Sequence, residues 1–136
     1  EKIAQACADN ALSALGEIVM NHQPSLGAGA EQLWGIWLAG LPCQEDEQEG
    51  VRNHKLLLKL IMQERAEVVG AGGCNLQKLF AMLVDLYKTD MVDDETNVGI
   101  GQLALKIGEA SLEQYAAQYS AKQRKKLQRI VRESQK

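Results

Sequence analysis

"LLKLI" (57–61) is the stretch on which the reading of this chain turns, because it recurs. Aligned with "ALSAL" (11–15) and "LALKI" (103–107), it sets Leu15, Ile61 and Ile107 at equal intervals of 46 residues, and Ala11, Leu57 and Leu103 likewise. Each fragment lies in a segment whose apolar residues follow the 3.6-residue helical period, and a further helical segment falls in each interval. The chain therefore reads as an all-α protein of stacked, antiparallel helix pairs.

Working outward, the same period predicts seven helices. The first covers about 2–21, with Ile3, Cys7, Ala11, Ala14 and Ile18 on one face, widened by Leu12, Leu15 and Val19. The second, about 28–40, carries Leu33, Trp34, Trp37 and Leu41, and the third, about 49–63, carries Val51, Leu56, Leu57, Leu60 and Ile61. The fourth, about 75–88, has the cleanest stripe: Leu76, Leu79, Phe80, Leu83, Leu86 and Tyr87. The fifth, about 95–109, shows Ile100, Leu103, Ala104 and Ile107. Two shorter helices, about 111–119 and 121–134, close the chain as a capping pair. Stripes this broad imply burial against neighbours on two sides, as stacked hairpins require.

The breaks have their own chemistry. "NHQPSLGAG" (21–29) and "VGAGGCN" (69–75) read as flexible connections, the second ending in Asn75 as an N-cap. "KTDMVDDET" (88–96) supplies capping acids, and Ser111 and Ser120 are expected to cap the last two helices. Asn10, set among apolar neighbours, is expected to be buried and hydrogen-bonded to an adjacent helix or loop.

A chain of 136 residues fits one domain, 1–136, and its formal charge of −3 makes no overall case for nucleic acid. The charge is uneven: residues 121–136 hold seven Lys/Arg and one Glu, which leaves the remainder at −9. Cations at a helix C-terminus suit the macrodipole, and the same helix can grip phosphates or acidic partners. Cys7, Cys43 and Cys74 are widely spaced, with no CxxC pair to suggest zinc or a disulfide framework, so a reducing compartment is expected. The sequence opens at Glu1 inside a periodic segment, as a piece of a longer chain would.

No catalytic, metal or cofactor motif is found. His22 and His54 have no patterned partner, "GAGG" (70–73) lacks the Lys of a phosphate loop, and the acids from Glu45 fail the EF-hand pattern at Leu56. The expected sites are for partners. Glu45, Asp46, Glu47 and Glu49 form an acidic crossing, read first as a solvated loop and alternatively as a patch that attracts basic protein segments, and Trp34 and Trp37, three apart, are core residues or walls of an aliphatic pocket.

"CADNALSALGEIV" (7–19) is similar to the second-helix pattern of HEAT repeats, with Ala11, Ala14, Leu15, Gly16 and Ile18 at the matching positions. Followed by "GLPCQEDEQEGVRNHKLLLKLI" and "GCNLQKLFAMLVDL", it resembles the C-terminal repeats of the importin-β (karyopherin-β) nuclear transport receptors, in their importin-4 and importin-5 branch. The carriers are the Leu41-Pro42 helix stop, the acids Glu45 to Glu49, the helix from Val51, and Asn75-Leu76-Gln77-Lys78. The likeness covers about residues 5–88, departing at Gln77, where proline is usual, and at Lys55 and Lys59, where small or apolar residues are usual. It implies a HEAT-repeat superhelix that binds without catalysis, shuttling between cytoplasm and nucleus. Its implied partners are protein cargo, Phe-Gly nucleoporins and the GTPase Ran, the last mainly through N-terminal repeats. Asp9, Glu17, Lys55 and Lys59 would line the concave face. The alternatives are a HEAT scaffold of a phosphatase or chromosome-associated complex, or nucleic-acid binding through the basic last helix.

Overall fold

The computed structural model describes residues 10–11, 14–17, 20, 29–43 and 45–135. Every regular element among them is helical: α1 (Gly29–Gly40), α2 (Glu47–Met62), α3 (Ala66–Val69), a 3₁₀ turn (Ala71–Gly73), α4 (Leu76–Leu86), α5 (Asp94–Ile107), α6 (Glu109–Ala116) and α7 (Ala121–Ser134). Residues 10, 11, 14–17 and 20 are helical as well, inside the span expected for the first helix.

Local chemistry sets the boundaries. Asp46 accepts the Glu49 N–H at 3.0 Å and starts α2, and Asp93 accepts the Thr96 N–H at 2.8 Å and starts α5. Before α7, Ser120 accepts from the Gln123 backbone while the Gln123 side chain accepts the Ser120 N–H, a reciprocal capping box. Two expected caps differ. Gly108, at φ +90°, both ends α5 and precedes α6, so Ser111 falls inside α6 instead of capping it. That conformation suits glycine alone, and one residue makes the whole break. Asn75 stands at the N-cap of α4, but its side chain donates to the Val68 carbonyl at 3.3 Å and caps nothing. The connection before it is also more structured than expected, since α3 buries Val68 and Val69.

The 46-residue interval survives as packing. Lys55 of α2 meets Asp93 and Glu95 at the start of α5, Leu58 lies against Gly99, and Lys106 Nζ reaches the Met62 carbonyl. Residue numbers rise together along this contact, so α2 and α5 run parallel. Leu57 and Leu103 are both buried, and Ile61 is buried where Ile107 is half-buried. The first fragment matches less well: Ala11 and Ala14 are exposed, and Leu15, Gly16 and Met20 turn inward instead. Gly16 permits the close approach, because a Cβ there would stand 2.8 Å from Trp37 Nε1. Asn10 is exposed, contrary to expectation, since it shares the outward side with Ala11 and Ala14. Ile3, Cys7, Leu12, Ile18 and Val19 lie outside the described residues.

The short C-terminal pair is present, and its order departs from the preceding ones. Tyr119 donates to the Gln77 carbonyl, Gln123 and Lys126 bond to Asp85, and Tyr87 donates to Glu133. These contacts lay α7 parallel to α4. Against α5 it is antiparallel, with Ser134 facing Gly101 and Leu127 and Val131 beside Ala104 and Leu105. A single apolar cluster runs through these helices, with Trp37, Leu57, Leu60, Phe80, Leu83, Ile100 and Ile130 fully buried. Each such side chain contributes about 1.5–3 kcal/mol of burial free energy. By contrast, Leu105 is 51% exposed. Leu60→Ala is therefore expected to lower the unfolding free energy by about 2–5 kcal/mol. Leu105→Ala should stay within about 0.5 kcal/mol of the parent in the same urea titration.

Candidate partner-binding site

The expected site runs from α1 through the crossing at 41–46 into α2. Leu41 closes α1 and is joined to Pro42 by a cis peptide bond, after which Cys43 is buried. The four acids then divide. Asp46 is half-buried as the cap of α2, and Glu49 is half-buried with Arg52 at 3.8 Å. Glu45 and Glu47 are exposed, so the part of the acidic crossing presented to solvent is these two carboxylates.

Both tryptophans belong to the core: Trp34 is 2% and Trp37 0% exposed. Their rings meet edge to face, 6.0 Å between centroids, and the Arg65 guanidinium lies 5.5 Å over the Trp34 ring. Neither ring presents a face to solvent. Ile36 of the same helix is 59% exposed, on the side away from Trp34.

What joins the tryptophans to the crossing is a pair of buried polar residues. Asn53 Oδ1 accepts the Trp37 indole N–H at 3.1 Å, and Asn53 Nδ2 donates to the Glu49 carbonyl at 2.8 Å and faces Cys43 Sγ at 3.6 Å. His54 Nε2 accepts the Cys43 backbone N–H at 3.1 Å, and its Nδ1 lies 2.9 Å from the Met91 carbonyl. A backbone N–H can only donate and a carbonyl can only accept. The ring is therefore neutral here, with its proton on Nδ1. Asn53 and His54 were legible in principle. Residue 53 stands four before Leu57, and residue 54 three before Leu57 and seven before Ile61, so both lie on the apolar face of α2.

Of the cations and acids expected on a concave face, Lys55 is engaged within the fold, 2.7 Å from Asp93 and 3.1 Å from Glu95. Glu17 and Lys59 are exposed, and Asp9 lies outside the described residues. Among the described residues no group of three or more His, Cys, Asp or Glu is placed to hold a metal ion, and no helix is long and apolar enough to cross a membrane. The arrangement presents polar and charged side chains on a helical support. No family model matches the sequence, and no solved structure matches the chain.

The Lys55 ammonium, followed by the Thr96 bonds, holds the Asp93 carboxyl down to about 2, while its burial opposes the shift. An acid depressed below its unfolded value of about 3.9 stabilises the fold fully above that pH. The contribution is lost as pH falls from about 4 towards 2. Asp93→Asn should thus lower the urea midpoint at about pH 6, with the gap to the parent closing near pH 2. A gap that is the same at both pH values would show that the charge of Asp93 has no part in stability.

Proposed function

We propose that this chain is a protein-binding scaffold, a segment of a HEAT-like helical solenoid of the importin-β type. It binds protein partners without catalysing a reaction, in a receptor that shuttles between cytoplasm and nucleus. One observation carries the reading. Helices α2 and α5 stack in parallel, with Leu57 and Leu103, 46 residues apart, buried at equivalent places. A repeat of that length, each unit burying its neighbour's face, belongs to helical solenoids whose function lies in extended surfaces. The crossing into α2, where the resemblance is densest, is tied to the buried face of that helix through His54, and α1 is tied to it through Asn53.

Burial of both tryptophans favours a partner surface elsewhere on the hairpin. Glu45, Glu47 and Ile36 are among the exposed groups of the α1–α2 hairpin, and they suit a basic or aliphatic protein segment. A Phe-Gly repeat segment presented to the immobilised chain should be retained, and its Phe→Ala counterpart should not. The full receptor should in addition release cargo in a Ran-GTP-dependent manner. Retention of neither repeat by the chain, together with no Ran dependence in the full protein, overturns the transport reading.

A further inference from the structure

The outward face of α7 carries a cation row that nothing in the proposed function uses. Lys122, Lys125, Arg129 and Arg132 follow one another at steps of three, four and three residues, and all four are exposed. At 100° per residue they occupy an arc of about 80°, and the row is about 15 Å long. The opposite face, Leu127 and Ile130, is buried against the core. Six cations lie on this helix with a single carboxylate, Glu133, which bonds Arg129 at 3.0 Å and accepts from Tyr87. The cations crowd one another. Burial holds the Lys126 ammonium below its ordinary range; Asp85 offsets part of this, while Lys122 and Arg129 push the same way as burial. Like charges three and four residues apart on a helix repel, and an anionic partner relieves that repulsion.

We propose that this face of α7 docks an acidic helical segment of a protein partner. Successive cations stand three or four residues apart, about 5 Å on average, which is the spacing at which a second helix presents side chains along one face. The width decides against the larger polyanions. A single helix, about 10–12 Å across, fits over the row. A nucleic-acid duplex or a membrane surface would also lie over the acids beside it, Asp85, Glu113 and Glu133, and over a chain that is otherwise negative. The face has no exposed aromatic on which bases could stack, since Tyr87 is buried with its hydroxyl bound to Glu133. Nor can α7 insert into lipid, because its apolar side is already part of the core. The proposal shares with the scaffold reading only the premise that the partner is a protein.

The test is fluorescence anisotropy of a synthetic helix of roughly 21 residues with Glu at three- and four-residue steps, beside an isomer with the same residues scattered around the helix. The stepped peptide should bind, weaken as salt rises, and bind at least about threefold tighter than the isomer. Lys125→Glu with Arg132→Glu should weaken it at least about tenfold while the far-UV circular dichroism stays that of the parent. If that variant loses its fold, Lys125→Gln with Arg132→Gln serves, with at least about a threefold loss expected. Retention of Phe-Gly repeats should be the same in parent and variants, which separates failure of this surface from failure of the transport reading. No binding, equal binding of the two isomers, indifference to the substitutions, or tighter binding of duplex DNA or phosphatidylserine vesicles would each overturn the proposal.

Discussion

The structure depends on two adjacent polar side chains that sit where apolar ones would ordinarily be. Asn53 and His54 lie on the buried face of α2, 1% and 0% exposed, and between them they tie that helix to three other segments. Asn53 takes the indole of Trp37 in α1, and His54 takes the backbone of Cys43 in the crossing and of Met91 in the loop after α4. A buried polar group left without a partner costs about 1–3 kcal/mol, so each bond also penalises every arrangement that lacks it. A uniformly apolar α2 could slide or rotate against its neighbours at little cost. This α2 has one register, and the stacking of the repeats follows from it.

The same device recurs one repeat later in a weaker form. Asn97, on the buried side of α5, accepts the Lys88 N–H at 2.9 Å, so the loop from 88 to 93 is held near both ends by polar residues of two stacked helices. Asp93 then caps α5 and receives Lys55 from α2, which couples the start of one helix to the middle of the other. Core apolar residues supply the stabilisation, and these few directed bonds supply the alignment.

The parts of this fold visible in the sequence are those governed by period and by one-residue rules. The stripe of Leu79, Phe80 and Leu83 announces α4, and Asp93 and Ser120 announce the helices they cap. The parts that stayed hidden depend on context. Four residues, Ala66–Val69, are too few to show a period, so α3 reads as loop. Gly108 breaks the chain in a single residue, which displaces α6 towards the N-terminus and moves Ser111 from cap to interior. Asn10 and Asn53 are alike as residues, and only the face of the helix that packs decides that one is exposed and the other buried. At the expected site the division of labour was equally local: Asp46 is a cap and Trp37 a core residue, leaving Glu45, Glu47 and Ile36 at the surface.

The proposed scaffold role calls for surface groups in fixed relation, and so for rigidity at the crossing. Native-state hydrogen exchange of the Cys43 amide measures that rigidity at its source. If the bond to His54 Nε2 holds the crossing in place, this amide exchanges only through global unfolding, with the same opening free energy as the amide of Leu60 in the core. Exchange at the rate of an exposed loop amide would contradict the account, because the polar pair would then decorate the core without fixing it.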